Sequence, residues 1–149
     1  MTPLKEILYA EDSPNDVELT LEALKGVGIV NKIVVARDGA EALDYLYKRG
    51  RFAERQTEAP ILVLLDLKLP KISGLEVLEK IKNDPHLRAV PVVVLTSSGE
   101  ERDVVEGYRL GVNAFVVKPV DFQQFTESVR RIGCFWALVN APPPRGAMV

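Results

Sequence analysis

Short runs of apolar residues alternate along the chain with segments whose apolar residues recur at helical spacing. The run 61–65 consists of five consecutive aliphatic residues, which is typical of a strand buried on both faces of a parallel sheet. Strands are predicted over residues 4–10, 32–37, 61–65, 90–95 and 114–117. Strands that alternate with helices are joined by right-handed crossovers, so the sequence predicts a doubly wound α/β fold with helices on both faces of a parallel sheet.

Polar residues that favour helix starts precede each predicted helix. Capping side chains are expected at five positions: Ser13, Asp38, Ser73, Ser98 and Asp121. The apolar stripe of the second helix is expected to include Tyr47, and that of the last helix Phe122. The polar stretch 49–59 predicts a loop.

Composition excludes several classes of function. A length of 149 residues suits one domain, and a net charge of −2 offers no basic surface for nucleic acid. No apolar stretch approaches the roughly twenty residues that cross a bilayer. The single cysteine, Cys134, and the absence of a signal-peptide pattern predict a cytoplasmic protein. With His86 as the only histidine, most zinc-hydrolase and Ser-His-Asp sites are excluded.

Chemically useful residues stand where the predicted strands end. Glu11 and Asp12 follow the first strand and Asp66 the third, while Thr96 and Lys118 end the fourth and fifth. In a parallel sheet these ends share one edge, with neighbouring strands less than about 5 Å apart. Three carboxylates there would repel one another unless a cation offset their charge, and oxygen ligands alone favour Mg²⁺. A carboxylate can also attack phosphorus and form an aspartyl phosphate.

Each of these residues also has an ordinary structural explanation. Glu11 and Asp12 could be solvated carboxylates that are favoured by the dipole of a helix N-terminus. Thr96 could cap a turn, and Lys118 could be a surface lysine before a proline. Taken singly these explanations suffice, but the right residue type at four strand ends, in the right order, favours a phosphoryl-transfer site.

The chain resembles the receiver domains of two-component response regulators. The stretches that carry the resemblance are 9–16, 65–70 with Gly74, 94–97 and 114–119, and it extends from about residue 4 to residue 132. The resemblance implies a single flavodoxin-like domain with a five-stranded sheet in the order 2-1-3-4-5. Residues 1–132 would form the receiver domain, and residues 133–149 would form an extended C-terminal helix and a proline-rich tail.

The resemblance also implies roles for the acidic residues. Asp66 would accept a phosphoryl group from the phosphohistidine of a histidine kinase. Asp12, Asp66 and the backbone carbonyl of Lys68 would bind Mg²⁺ directly, and Glu11 would contribute through water.

The remaining motif residues would stabilise and report the phosphoryl group. By the same resemblance Lys118 would pair with the phosphoryl group, and the bond to Pro119 would be cis, as is usual in the family. Thr96 would move towards the phosphate while Phe115 turns inward, which makes the pair a two-state element. Phe115 stands where many members have tyrosine, so it offers no hydroxyl to a partner.

The C-terminal segment 134–139 is apolar on nearly every side, whereas ordinary core packing requires only one apolar stripe. We expect it to form a symmetric homodimer with the fourth and fifth strand–helix region, and the alternative is that it folds back on its own domain. This tail, the loop 49–59 and the stretch 81–85 resemble stand-alone response regulators found beside bacterial and cyanobacterial phytochrome histidine kinases. A bacteriophytochrome is therefore the expected phosphoryl donor.

Two alternative functions can be compared with this set of residues. A Mg²⁺-dependent phosphatase with Asp66 as nucleophile commonly has a second Asp two residues later, but that position is Lys68 here. A pseudo-receiver that only binds proteins would lack Asp66, Asp12 or Lys118, and all three are present. We therefore expect a phosphorylation switch with at most slow self-dephosphorylation and not a turnover enzyme.

Overall fold

The computed structural model describes residues 4–142 and contains one parallel sheet of five strands. The strand order is β2-β1-β3-β4-β5, which confirms the predicted topology. The strands are β1 (Ile7–Ala10), β2 (Ile33–Ala36), β3 (Leu62–Leu65), β4 (Val92–Thr96) and β5 (Ala114–Val117).

Five α-helices connect and follow the strands. They are α1 (Pro14–Gly26), α2 (Gly39–Tyr47), α3 (Gly74–Asn83), α4 (Glu101–Arg109) and α5 (Phe122–Gly133). The predicted loop 49–59 contains a short 3₁₀ helix, Gly50–Phe52. None of the helices in the described part of the chain is both long enough and apolar enough to cross a membrane.

The central strands are buried on both faces, which explains their unbroken apolar runs. Along β3, Val63 and Leu65 face one core, which also receives residues of α2 and α3. Leu62 and Leu64 face a second core, which also receives residues of α1 and α5. The sheet therefore separates two apolar layers, and its carboxyl ends are left as the place where polar side chains can gather.

Four of the five predicted caps are present. The side chains of Ser13, Asp38, Ser73 and Asp121 each accept a hydrogen bond from the backbone N–H three residues later. The prediction for Ser98 is wrong, because α4 begins at Glu101 and Glu100 precedes it without a side-chain cap. The Ser98 hydroxyl instead donates a 2.5 Å hydrogen bond to the carboxylate of Asp103, which lies in the first turn of α4.

Two aromatic residues lie elsewhere than their spacing predicts. Tyr45 and not Tyr47 is the buried tyrosine of α2, because its hydroxyl finds a partner in Glu6 at 2.7 Å. Phe122 is exposed at the start of α5, where the chain has only just left the sheet edge.

The last helix continues beyond α5, which confirms the extended C-terminal helix. The segment Cys134–Val139 forms a π-helical continuation. Trp136 and Ala137 pack against the domain's own core, while Phe135, Leu138 and Val139 are exposed. The prolines at 143 and 144 of the predicted tail lie outside the described residues.

Candidate functional site

The carboxyl ends of β1, β3, β4 and β5 meet at one edge of the sheet. Ala10 lies beside Leu65 in the register of β1 and β3, and the Asp66 N–H donates to the Ala10 carbonyl at 3.1 Å. The Lys118 N–H donates to the Thr96 carbonyl at 2.7 Å. Backbone pairing therefore delivers the predicted side chains to one place.

Three of these side chains form an acidic cluster. Glu11, Asp12 and Asp66 each offer a carboxylate oxygen, and these oxygens lie within 4.8 Å of one another. Asp12 is exposed, whereas Glu11 and Asp66 are buried. Such a set of hard oxygen donors, open on one side, fits a divalent cation that keeps some of its water.

The ammonium group of Lys118 is surrounded by carboxylates. Its Nζ atom lies 2.5 Å from Glu11, 2.8 Å from Asp16 and 3.2 Å from Asp66. Burial alone would lower the pKa of Lys118, but the hydrogen bonds to Asp16 and Glu11 and the charge of Asp66 raise it overall. Lys118 is therefore a permanent positive charge next to the acidic cluster.

Glu11 is the carboxylate least accessible to water. Burial and, to a smaller extent, the charge of Asp66 raise its pKa to about 7, against the lowering effect of the hydrogen bond from Lys118. Its second oxygen accepts a 3.2 Å hydrogen bond from the Ser13 N–H. Glu11 consequently changes its protonation near neutral pH, where a cation would displace the proton.

Asp66 sits where two loops approach the sheet very closely. Its Oδ1 atom accepts a 3.3 Å hydrogen bond from the Lys68 N–H, and its Oδ2 atom faces Lys118. A side chain at Gly74 would overlap the backbone carbonyl of Asp66, and one at Gly39 would overlap that of Ile72. Both glycines are therefore required by close backbone contacts, and the contact at Gly74 is with the backbone of Asp66 itself.

Thr96 is the last residue of β4, and Phe115 lies in the neighbouring strand β5. The Thr96 side chain is buried and its hydroxyl accepts a 3.3 Å hydrogen bond from the Ser98 N–H. Phe115 is half-buried and its ring lies against Gly107 of α4, where an added Cβ would stand 3.1 Å from a ring carbon. Both residues thus connect the site to α4.

The prediction of a cis bond before Pro119 is wrong, and the prediction for Lys68 concerns its backbone carbonyl. The bond between Lys118 and Pro119 is trans, since no peptide bond in residues 4–142 is cis, and the trans form is the lower-energy one for most X–Pro bonds. The Lys68 side chain is exposed and only its N–H contacts Asp66, so the carbonyl of Lys68 remains a predicted metal ligand.

Asp16 is a site residue that the sequence alone did not indicate. Its backbone N–H makes the predicted cap to Ser13, but its carboxylate turns to Lys118 and does not complete a capping box. The available signal was its position in the first turn of α1, directly after the strand end that carries Glu11 and Asp12.

Residues 7–130 match the family of response regulator receiver domains. Response regulator Rcp1 of Synechocystis sp. (strain ATCC 27184 / PCC 6803 / Kazusa) is 41% identical over 134 residues, which are 90% of this chain and 90% of that protein. The Mn²⁺-bound structure of Rcp1 is similar with a TM-score of 0.89 and 39% identity, and the match covers 95% of this chain and 100% of that one.

Two further solved structures are similar. The phosphorylated cyanobacterial phytochrome response regulator RcpA has a TM-score of 0.88 and 39% identity over 95% of this chain and 100% of its own. The bacteriophytochrome response regulator AtBRR has 57% identity and a TM-score of 0.74 over 93% of this chain and 99% of its own. Similarity therefore covers the whole sheet and its carboxyl edge.

Proposed function

This chain belongs to the response regulator receiver family, and from that premise we propose that Asp66 accepts a phosphoryl group from a histidine kinase in a Mg²⁺-dependent reaction. The observation that carries the proposal is the setting of Asp66, a buried carboxylate with Lys118 at 3.2 Å and two further carboxylates beside it. Its exposed neighbour Asp12 leaves the cluster open to solvent on one side.

In the proposed reaction an Asp66 oxygen forms a bond to phosphorus while the bond between phosphorus and the donor's imidazole nitrogen breaks. The electron pair of that broken bond stays on the imidazole, which then takes a proton from water. Lys118 would offset the charge of the phosphoryl oxygens, and the Thr96 hydroxyl would hydrogen-bond to one of them. Mg²⁺ held by Asp12, Asp66 and the Lys68 carbonyl, with Glu11 acting through water, would supply further positive charge.

A cavity of about 300 Å³ beside Lys118 is the surface that we propose for docking of the donor. It lies between α1 and the start of α5, and its rim includes the exposed apolar residues Val120 and Phe122. An apolar rim beside a charged site suits a protein surface that presents a phosphohistidine. The similarity to the phytochrome response regulator RcpA and the bacteriophytochrome response regulator AtBRR supports a phytochrome-type kinase as this donor. A cytoplasmic location is part of the same proposal.

Phosphorylation would be reported through Thr96 and Phe115. A phosphoryl oxygen that attracts the Thr96 hydroxyl would release the Ser98 N–H and with it the start of α4. Space left behind Thr96 would then let Phe115 turn further inward from its present contact with Gly107. The exposed face of α4 and β5 would change its shape, and partner binding would change with it.

The C-terminal segment supports a proposal of homodimerisation. Leu138 and Val139 are 53% and 64% exposed, and Val105 and Tyr108 of α4 expose further apolar surface. We expect Leu138→Asp to lower the mass measured in solution at micromolar concentration. Val30→Asp is the control, because it introduces the same charge at an exposed apolar residue outside the C-terminal segment. A monomeric wild type would contradict the dimer and leave the phosphorylation proposal intact.

The phosphorylation proposal is tested by intact mass after incubation with acetyl phosphate and Mg²⁺. Wild type should gain one hydroxylamine-labile phosphoryl group, while Asp66→Asn and wild type with a chelator should not. Glu54→Gln removes an exposed carboxylate elsewhere and should behave as wild type. An adduct on Asp66→Asn would contradict the role of Asp66, and release of free phosphate from a generic ester would favour the phosphatase alternative.

A further inference from the structure

Asp16 is the fourth carboxylate of the site and the one with no part in the proposed metal cluster. It lies in the first turn of α1, and its Oδ2 atom is 2.8 Å from the Lys118 ammonium. The helix does not need this carboxylate as a cap, because the Ser13 N–H that a capping box would satisfy is bound by Glu11. The contact between Asp16 and Lys118 therefore needs a separate explanation.

The ammonium group of Lys118 has three N–H donors, and each is directed at a different carboxylate. The contact to Asp66 is the longest of the three, at 3.2 Å, so the ammonium lies nearer to Glu11 and Asp16 than to the phosphoacceptor. A phosphoryl group on Asp66 would therefore compete with these two carboxylates for Lys118.

The two competing carboxylates differ in how easily they can be released. The Glu11 side chain is 1% exposed, so an unpaired charge there would be costly. The Asp16 side chain is 27% exposed and can be hydrated when Lys118 moves away. Asp16 is thus the contact that can exchange with the phosphoryl group.

We propose that Asp16 is a positioning residue that holds the Lys118 ammonium back from Asp66 and so limits the uptake and the lifetime of the aspartyl phosphate. The inference rests on the proposed function and adds a control on it. The charge of Asp16 opposes the phosphoryl group in two ways, since it neutralises Lys118 and repels the phosphoryl oxygens directly. An asparagine at this position keeps an oxygen that accepts from Lys118 but removes the charge.

The test compares wild type, Asp16→Asn and Glu18→Gln. Glu18 is an exposed carboxylate on α1, so its variant changes the net charge equally without touching Lys118. Uptake from acetyl phosphate in saturating Mg²⁺ should be about tenfold faster in Asp16→Asn, and the adduct should last several times longer after the donor is removed. Affinity for Mg²⁺ should not rise, which separates an effect through Lys118 from tighter cation binding.

A second measurement follows Lys118 itself. In side-chain nitrogen NMR, the pKa of Lys118 should fall in Asp16→Asn and stay unchanged in Glu18→Gln, whether or not phosphate is present. Asp16→Asn that matches Glu18→Gln in uptake and lifetime, or takes up phosphate more slowly than wild type, would overturn the inference alone. Wild type that forms no adduct would overturn the proposed function and this inference with it.

Discussion

The two ends of the sheet both bury a carboxylate, but they treat it differently. At the amino end, Glu6 accepts hydrogen bonds from the hydroxyls of Tyr45 at 2.7 Å and Thr57 at 2.9 Å, and the ammonium group of Lys32 lies 3.9 Å from it. At the carboxyl end, Asp66 shares a single lysine with other carboxylates. At the amino end, neutral hydroxyl groups donate hydrogen bonds to one charged carboxylate. At the carboxyl end, the negative charges outnumber the positive one.

Two partly buried lysines, Lys82 and Lys118, show the same difference. Lys82 donates to the carbonyls of Arg88 and Val90 and to the side-chain oxygen of Asn113, at distances of 2.9–3.1 Å. No carboxylate offsets its charge in these contacts, and burial lowers its pKa to about 8. Lys118 is held by three carboxylates, and its pKa is raised. Lys82 therefore connects α3 to the loops that precede β4 and β5, whereas Lys118 is a counter-charge that further anions can share.

This difference indicates which end of the sheet carries the function. Polar groups whose donors and acceptors match each other stabilise a fold, and the amino end meets that condition. Carboxylates that outnumber their counter-charges lower stability and persist where a ligand completes them. The carboxyl end is therefore expected to gain stability from a cation, and the amino end is not.

The largest effect is expected from the backbone contacts that hold the carboxyl end together. Gly74→Ala places a Cβ against the backbone of Asp66 and Leu67, which side-chain movement cannot relieve, so we expect a loss of about 3 kcal/mol in the free energy of unfolding. Gly26→Ala, whose Cβ would meet only the tip of Arg130 at 4.0 Å, is the matched control in chemical denaturation. Equal stability of the two variants would show that the loops around Asp66 adapt.

A smaller loss is expected at the amino end. Glu6→Ala leaves the hydroxyls of Tyr45 and Thr57 without their acceptor, and the free energy of unfolding should fall by about 2 kcal/mol. Glu6→Gln keeps an oxygen at the same place and should lose less than half of that. Phosphoryl uptake should be unchanged in both variants. If Glu6→Ala were as stable as wild type, the amino end would not be the matched network that the comparison requires.

Metal affinity should depend on pH through Glu11. Its folded pKa of about 7 lies above the ordinary value of 4.5, so its contribution to stability is present below about pH 4.5 and lost as pH rises through 7. Binding of a cation needs the charged form, so Mg²⁺ affinity should rise by up to about tenfold from pH 6 to pH 8. Calorimetric titration checks this, with Glu11→Gln as the variant that should show a flatter profile. An unchanged slope in Glu11→Gln would assign the dependence to another group.

Much of the fold could be predicted because its signals are local. The five apolar runs and four of the five caps depend on residues within one turn or one strand of each other. The predictions for Ser98 and Tyr47 failed where a distant or competing partner decided the outcome. Ser98 binds Asp103 inside α4, and Tyr45 is buried by a bond to Glu6 from 39 residues away.

The residues of the site likewise include some that the sequence predicts and one, Asp16, that it does not. Strand ends in a parallel sheet share one edge, so the topology alone was enough to bring Glu11, Asp66 and Lys118 together. The backbone N–H of Asp16 makes the local cap predicted at Ser13, but its carboxylate binds a lysine 102 residues later in the chain. When a residue makes both a local and a distant contact, the sequence pattern predicts only the local contact.

The central claim is that the carboxyl end holds more negative charge than the fold can offset by itself. The most direct test is the free energy of unfolding of wild type and Asp66→Asn, each measured with a chelator and with Mg²⁺. With the chelator, Asp66→Asn should be more stable than wild type by about 1 kcal/mol, and Mg²⁺ should stabilise wild type far more than the variant. A variant that is less stable than wild type with the chelator, and gains equally from Mg²⁺, would contradict the claim.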